Sequence, residues 1–543
     1  MTGVMVGWQW RRYVGLGLGL ALLAAVGYWV TPSRTPESEI FEPIPPLPLP
    51  PDFRIAFNQA RSHIYTDPYR GIQRYGDDLE AFLVEEIARA RHSIAIAVQE
   101  LNLPGVALAL AERQRAGVEV RLILENTYTR TWQALTPAEV AGLDDRDRDK
   151  YREYWQLVDL DRDGALEPEE IAQRDALAIV QQAGVPWIDD RADGSQGSGL
   201  MHHKFLLVDG RTLVTGSANF TLSGIHGDFD RPESRGNANH LLAIESAELA
   251  AVFLAEFDLM WGDGPGGATD SLFGVRKPER SLQRVRVGAV EIRVHFSPGG
   301  TATDYADTSG GEIVRALSEA TESVDLALFV FSDRDIAAPL LRHQQQRGID
   351  IRGVFDRSFA YRDFSQTLAL WNIRTEANCS LELAPASANG IGVPQLPQGD
   401  KLHHKFAIVD AALPGASVIL GSHNWSRAAN RINDETLLII SSAEIAAHFS
   451  REFDRLFSVA QLGPPQFLLA NAAQPVRCLT PQQSRVVNLN TATPEQLEAL
   501  PGIGPTLAQR IVRARPIRSR SDLEAIEGIG PAKLADLRGR VVW

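Results

Sequence analysis

His202-His203-Lys204-Phe205-Leu206-Leu207-Val208-Asp209 is followed six residues later by Gly216-Ser217-Ala218-Asn219, and the pattern returns as His403-His404-Lys405-Phe406-Ala407-Ile408-Val409-Asp410 with Gly421-Ser422-His423-Asn424 ten residues on. An apolar run bounded by polar residues and a turn predicts a buried strand in each copy. Side chains alternate along a strand, so His202 shares a face with Lys204, and His403 with Lys405, while His203 and His404 point the other way. An imidazole beside a fixed ammonium, with Ser and Asn donors arriving from the next strand, suits a phosphate, whose oxygens accept hydrogen bonds from both. The longer spacer of the second copy, Ala411 to Leu420 with Pro414-Gly415, predicts an enlarged hairpin and leaves the register of Asn424 open.

Working outward, the duplication extends well beyond these motifs. Ala90-Arg91-His92-Ser93-Ile94-Ala95-Ile96-Ala97-Val98 reads as a helix end and a buried strand, and Ala320-Thr321-Glu322-Ser323-Val324-Asp325-Leu326-Ala327-Leu328 reads the same way. A helix and a second strand follow in each half, at Gly117 to Ile123 and Gly348 to Val354. Both halves close on a Glu-Phe-Asp helix, at Glu256 to Asp258 and Glu452 to Asp454. Alternating strands and helices predict two homologous α/β lobes, 53–272 and 273–470, related by a pseudo-twofold with equivalent residues at their interface. Because both half-sites lie in one chain, a monomer is expected.

Gly117 and Gly348 are 231 positions apart, but His202 and His403 only 201, so the first lobe holds about 30 extra residues. This insertion, about 148–182, contains Asp159-Leu160-Asp161-Arg162-Asp163-Gly164-Ala165-Leu166-Glu167-Pro168-Glu169-Glu170. Oxygen ligands stand at loop positions 1, 3, 5, 9 and 12, Gly164 at position 6 permits the sharp turn, and Ala165 offers a backbone carbonyl. That is the pattern of an EF-hand Ca²⁺ loop, with Asp159, Asp161, Asp163, Ala165, Glu167 and Glu170 as ligands in a structural or regulatory role. The other reading is an acidic turn leading into a helix N-terminus, which attracts Glu. Asp144, Asp145, Asp147 and Asp149 read as a solvated face.

His-x-Lys-x4-Asp followed by Gly-Ser-x-Asn, present twice, resembles the phospholipase D superfamily over about residues 80 to 460. The resemblance implies that one histidine attacks phosphorus to form a phosphohistidine, while the other protonates the leaving alkoxide and then activates water. It makes His202 the nucleophile and His403 the acid, with Lys204, Lys405, Asn219 and Asn424 stabilising the transition state and no catalytic metal. Imidazole serves either role near neutral pH, and two displacements replace one difficult step. The family also places an acid after the Gly-Ser-x-Asn turn to orient a histidine; Glu435, in Asn433-Asp434-Glu435, fits, whereas Asn237-Ala238-Asn239 offers only Asn239. Asp209 and Asp410 complete the catalytic motif but fall on the opposite strand face from His and Lys, which makes them structural.

After a linker at 471–484, residues 485–543 carry two Gly-Ile-Gly turns, Gly502-Ile503-Gly504 and Gly528-Ile529-Gly530, each between helical patterns. This resembles the tandem helix-hairpin-helix domain of DNA-uptake receptors related to ComEA. Such glycines let backbone N–H groups approach a phosphate without reading sequence, implicating Gly502, Gly504, Gly528, Gly530 and Lys533 in DNA contact. Nine Lys plus Arg against six Asp plus Glu give this module a net charge of +3. A protein-binding helical hairpin is the alternative reading.

Tyr13 to Val30 is an 18-residue stretch without a charge, preceded by a short n-region at 1–12 with Arg11 and Arg12, and followed by the Pro-rich linker 31–52. As a helix it spans roughly 27 Å, the lower end of what a bilayer core needs. The charge flanks predict a membrane anchor with the body outside the cytoplasm; a removed signal peptide is the other possibility. Over all 543 residues, 44% hydrophobic and 22% charged composition excludes wholesale disorder and a polytopic membrane protein. Lys plus Arg total 54 and Asp plus Glu 68, so the net charge of −14 confines any nucleic-acid grip to a local basic surface. Cys379 and Cys478 are too few for a disulfide scaffold or a Cys-based zinc site and read as buried thiols or one bridge. The composite expectation is a DNA-cleaving phosphodiesterase. A phospholipase D or phosphatidyl transferase acting on membrane lipid, and a surface DNA-binding receptor, are the alternatives.

Overall fold

The computed structural model describes residues 43–543 apart from 195–198, 300–302, 376–377, 379–380, 382–389, 473–486 and scattered positions between 493 and 540. The candidate membrane segment, both cysteines and Gly502 lie outside the described residues. Among those described, no helix is long and apolar enough to cross a membrane.

Lobe 1 contributes strands β1 (Phe53–Phe57), β2 (Ile64–Thr66), β3 (Gln73–Tyr75), β4 (Ser93–Val98), β5 (Glu119–Leu124), β6 (Trp187–Asp189), β7 (Lys204–Val208), β8 (Thr212–Gly216) and β9 (His240–Glu245). Apart from the small β2–β3 hairpin they form one seven-stranded sheet in the order β1-β9-β8-β7-β4-β5-β6. Lobe 2 repeats the plan with β10 (Gln283–Val287), β11 (Val290–Ser297), β12 (Ser323–Leu328), β13 (Asp350–Phe355), β14 (Ile391–Pro394), β15 (Lys405–Val409), β16 (Ser417–Gly421), β17 (Glu435–Ser441) and β18 (Ala460–Leu462). Its nine strands run β10-β11-β17-β16-β15-β12-β13-β14-β18. The shared centre, β9-β8-β7-β4-β5 against β17-β16-β15-β12-β13, is the duplication read in three dimensions.

β4 is a continuous apolar run because both its faces are covered, and β12 differs by a buried Asp325 that Arg352 pairs with at 2.7 Å. On one face of sheet 1 pack α1 (Leu79–Ala88), started by the Asp78 cap, and α2 (Pro104–Arg115), with proline in its first turn. The opposite faces of the two sheets share a single core: Phe205 and Leu207 from β7, Phe406 and Ile408 from β15, and the phenylalanines of the two Glu-Phe-Asp helices. The lobes therefore bury one continuous apolar interface, and side-chain alternation along β7 and β15 sends Phe205 and Phe406 into it while Lys204 and Lys405 face away.

The insertion between β5 and β6 folds as helices α3 (Asp145–Val158), α4 (Pro168–Arg174) and α5 (Ala176–Gln182). A single second helix, Pro168 to Gln182, is expected from the pattern, but Asp175 interrupts it. The Asp175 backbone is extended, and its carboxylate accepts the Ala178 N–H to start a new helix. Further along come the Glu-Phe-Asp helix of lobe 1, α6 (Ala247–Trp261), then α7 (Ser309–Ser318) and α8 (Arg334–Arg347) on the outer face of sheet 2, and the second Glu-Phe-Asp helix, α9 (Ala443–Ser458). α8 ends at Gly348, whose φ of +69° is the left-handed conformation that glycine adopts without a Cβ clash.

The enlarged hairpin absorbs all four extra residues. Val208 pairs with Thr212 across the short turn and Val409 with Ser417 across the long one, after which both hairpins run in equivalent register, so Asn424 occupies the place of Asn219. The C-terminal module has its own core of Leu489, Leu497, Ile503, Leu507, Ile511, Leu523, Ile529 and Leu537, and its ends are tied by pairing of Val487–Asn488 with Val541–Val542.

Candidate active site

Both histidine loops are held from the opposite lobe. The strand expected to carry His202 begins only at Lys204; His202 itself lies in the connection before β7, where Met201 bridges Asp434 and His202 N–H donates to the Asp434 carbonyl at 2.9 Å. Reciprocally, Ala238 bridges Leu402, and His403 N–H donates to the Ala238 carbonyl at 3.0 Å. Contacts that repeat with the lobes exchanged are what a twofold relation requires.

This exchange decides what backs each imidazole. His202 Nδ1 lies 2.6 Å from Glu435 Oε2 of lobe 2, and that carboxylate also accepts Ser422 Oγ at 2.7 Å and Asn433 Nδ2 at 3.2 Å. His403 Nδ1 lies 3.0 Å from Asn239 Oδ1 of lobe 1, which accepts Ser217 Oγ at 2.8 Å. Each Nδ1 is held from behind, which leaves Nε2 of both rings as the nitrogen to meet a substrate. The serines of the two Gly-Ser-x-Asn turns thus position the residues behind the histidines.

Lys204 Nζ donates to the His202 carbonyl at 2.7 Å and to Gln99 Oε1 at 3.3 Å; Lys405 Nζ donates to the His403 carbonyl at 2.6 Å and lies 4.8 Å from the centre of the Phe329 ring. Asn219 Nδ2 donates to the same Gln99 oxygen at 3.2 Å. Gln99 was missed in the sequence. It and Phe329 stand at equivalent points of the repeat, one residue past β4 and β12, so aligning the two copies at that position would have exposed an amide where the other half has a ring.

Burial pushes the Lys204 ammonium down to about 7, and burial together with the charge of Lys204 holds Lys405 well below its ordinary value. His202 and His403 also sit well below the ordinary imidazole value, first because they are buried and then because both ammonium groups face them. Burial raises Glu435, the carboxylate that meets His202. At 2.6 Å the imidazole and the carboxylate share one proton between Nδ1 and Oε2. Four basic groups gathered where the lobes meet, with the Glu435 carboxylate beside them, form a site whose chemistry suits an anion.

The second histidines do different work. His203 Nδ1 contacts Thr436 Oγ1 at 2.8 Å and its Nε2 lies 3.4 Å from Glu256, which also pairs with Lys277 and Arg280; His404 Nε2 meets Glu452 at 2.9 Å, and Glu452 pairs with Arg455 at 2.6 Å. Burial alone would raise Glu256 and Glu452, but Lys277, His203 and Arg280 around the first, and Arg455 and His404 around the second, together outweigh it and hold both at about 2. The acids of the two Glu-Phe-Asp helices therefore anchor the inward histidines.

Asp209 and Asp410 are corrected here from the catalytic set. Each lies at the far end of the strand whose first residue is the motif lysine. Asp209 accepts the backbone N–H groups of Arg91, His92 and Ser93, and Asp410 those of Thr321, Glu322 and Ser323. They fasten the start of β4 and β12 and touch neither imidazole.

In the insertion, carboxylate oxygens of Asp159, Asp161 and Glu170 come within 4.8 Å of one another, as do those of Asp161, Asp163 and Glu167. Gly164 has φ +84° at the turn. In the C-terminal module Gly504 precedes helix α10 (Pro505–Arg513), and Gly528 has φ +95°. A Cβ on Gly528 would stand 3.5 Å from the Arg510 guanidinium. Burial and the charge of Arg510 both lower the Lys533 ammonium, which places two cations together beside this hairpin.

The family described as "cardiolipin synthase, PLD-like domain" matches residues 83–261 and 313–457, the two lobes that build this cleft. The chain belongs to this phospholipase D-like family. Its phospholipase D-like lobes make it a phosphodiesterase of that superfamily, and a helix-hairpin-helix motif matches residues 482–542. The chain is similar to the mitochondrial cardiolipin hydrolase of Chlamydomonas reinhardtii, 26% identical over 199 residues that cover 36% of this chain and 75% of that one. It is also similar to the Xenopus tropicalis protein of that name, 29% identical over 28% of this chain and 63% of that one. Among solved structures it resembles Nuc, a phospholipase D family member from Salmonella typhimurium, with 21% identity, coverage of 32% and 99%, and a TM-score of 0.25. The phosphatidylserine synthase of Haemophilus influenzae matches with 12% identity, coverage of 71% and 85%, and a TM-score of 0.45.

Proposed function

We propose that this phosphodiesterase cleaves DNA without strong sequence preference, through a phosphohistidine on His202, with the strand held by its helix-hairpin-helix module. The observation that carries the reading is the pairing, in one chain, of two complete His-Lys-Asn half-sites with a basic hairpin module of net charge +3. In this reading His202 Nε2 attacks phosphorus, Lys204, Lys405, Asn219 and Asn424 take the charge of the phosphoryl oxygens, and His403 serves the leaving oxygen and then water. Backbone amides at Gly504, Gly528 and Gly530, with Lys533, contact phosphates of the strand. A lipid phosphodiester is the second reading, favoured by the description of the matched family and of the cardiolipin hydrolases.

Ca²⁺ in the insertion belongs to the same proposal. Asp159, Asp161, Asp163, the Ala165 carbonyl, Glu167 and Glu170 would hold it; Asp159 Oδ1 and Glu167 Oε2 are buried and lack a hydrogen-bond partner, which suits a cation. The ion would order the loop; no step of catalysis runs through it. A membrane tether at 13–30, a catalytic body outside the cytoplasm and a monomeric state complete the proposal.

The deciding experiment offers plasmid DNA, RNA and phosphatidylcholine or cardiolipin vesicles in parallel, with EDTA present. We expect DNA to be cut, and His202→Ala or His403→Ala to lower turnover by at least about a thousandfold, the scale of losing a nucleophile or an acid–base group. Full cleavage by either alanine variant would refute the two-histidine route; lipid hydrolysis with DNA untouched would install the second reading.

A further inference from the structure

The two half-sites are built to one plan but finished differently. Glu435 and Asn239 occupy the same seat: each follows its Gly-Ser-x-Asn turn, each accepts the serine of that turn, and each meets Nδ1 of the histidine contributed by the other lobe. One seat holds a carboxylate and the other an amide.

The amide cannot turn over. Asn239 Nδ2 donates to the Gly224 carbonyl at 2.8 Å, and Asn239 backbone N–H donates to Asn58 Oδ1 at 2.9 Å. Its Oδ1 therefore faces Ser217 Oγ and His403, and an amide oxygen only accepts, so His403 Nδ1 carries the proton and Nε2 faces the cleft. The charged groups around His403 are Lys405 two residues on, Lys401 before it, and Lys204 and His202 from lobe 1. Of the nearby carboxylates, Asp356 is engaged by the Leu402 N–H and Glu435 by His202. An imidazolium at His403 is thus opposed by cations and supported only by a neutral dipole, whereas a positive charge on His202 has Glu435 2.6 Å away.

We propose that Asn239 is a positioning residue that makes the half-sites chemically unequal, fixing His403 as the proton donor to the leaving oxygen and leaving the carboxylate-backed His202 to bond phosphorus. This rests on the phosphohistidine reading above. In the first step His202 Nε2 forms a P–N bond, the P–O bond to the leaving alkoxide breaks, and the proton on His403 Nε2 passes to that oxygen. The phosphorylated His202 ring is then cationic and Glu435 compensates it. In the second step a water oxygen forms a P–O bond as the P–N bond breaks, and the water proton goes to His403 Nε2, restoring the starting state. An acid without a counter-carboxylate releases its proton readily, and it is loaded only toward acidic pH or by the bound phosphodiester anion.

The test measures kcat/KM, which senses the step that expels the leaving group, for the full chain and for Asn239→Asp, Asn239→Leu and Glu435→Gln. Two small substrates are used: bis(4-nitrophenyl) phosphate, whose leaving group needs no proton, and a thymidine dinucleotide, whose alkoxide does. Asn239→Asp places an anion behind His403, raises the pH at which it deprotonates, and should move the dinucleotide's decline with rising pH upward by at least one pH unit. Asn239→Leu should lose at least tenfold more on the dinucleotide than on the nitrophenyl ester, while Glu435→Gln should slow both alike without moving that decline. An unshifted profile in a folded Asn239→Asp, or equal losses on both substrates in Asn239→Leu, would overturn the role of Asn239; if the aspartate variant does not fold, the leaving-group comparison decides. Turnover of the dinucleotide by His202→Ala and His403→Ala would instead overturn the underlying two-histidine reading.

Discussion

At the scale of single residues, the motif divides between chemistry and architecture. Histidine, lysine and asparagine were legible as candidate site residues because their types and spacing suit a phosphate, and the fold brings His202, Lys204, His403 and Lys405 within electrostatic reach of one another. The aspartate of the same motif is architectural: Asp209 gathers three backbone N–H groups at the start of β4. Those hydrogen bonds hold its carboxyl below the ordinary value against the pull of burial. A depressed carboxyl contributes stability above its unfolded pKa and loses it as pH falls through the folded one. Asp209→Asn should therefore lower stability by about 0.5–2 kcal/mol, as the loss of a cap does, while kcat/KM per folded molecule stays within about twofold. Denaturant titration at pH 7 and pH 3 checks it, and the difference between variant and parent should shrink at the lower pH. Loss of activity without loss of stability would return Asp209 to the catalytic set.

Among elements, the insertion shows how far a pattern carries. The helix before the loop, the turn at Gly164 and the proline-started helix after it appear where the spacing places them. The break at Asp175 does not show in hydrophobic periodicity, because both helices keep an apolar side and the interruption comes from a side chain capping a neighbouring backbone group. Glu170 already accepts the Leu160 and Glu167 N–H groups, so the loop is partly closed without an ion and a cation would complete it. Chelation should then lower the melting temperature, and re-addition of Ca²⁺ but not Mg²⁺ should restore it, since the smaller ion demands a stricter octahedral shell. Melting temperatures that do not respond to either ion would remove Ca²⁺ from the proposal. The longer β15–β16 hairpin makes the complementary point: strand register is fixed by burial on both faces, so extra residues are expelled into the turn.

For the whole molecule, catalysis and grip are assigned to separate modules, and the prediction belongs to both. Arg510 and Lys533 sit beside the Gly528 hairpin of a domain with its own core. Reversing their charge with Arg510→Glu and Lys533→Glu should raise KM for plasmid by about tenfold and flatten its salt dependence, because phosphate contacts release counterions. Dinucleotide cleavage, which is too short to span both modules, is the reference. A plasmid KM that follows neither charge nor salt would detach the hairpins from the substrate.

The sequence by itself determined the duplicated α/β lobes, the place of the insertion and the hairpin module, and singled out the candidate site residues and the candidate ion-binding loop, because repeats, side-chain period and metal- or phosphate-type spacing are properties of order along the chain. Only the tertiary structure decided which lobe backs which histidine. Residues 202 and 435 are brought together by the packing of two sheets on one apolar interface, and no local rule reaches across that distance. The same packing gave His403 an amide where His202 has an acid.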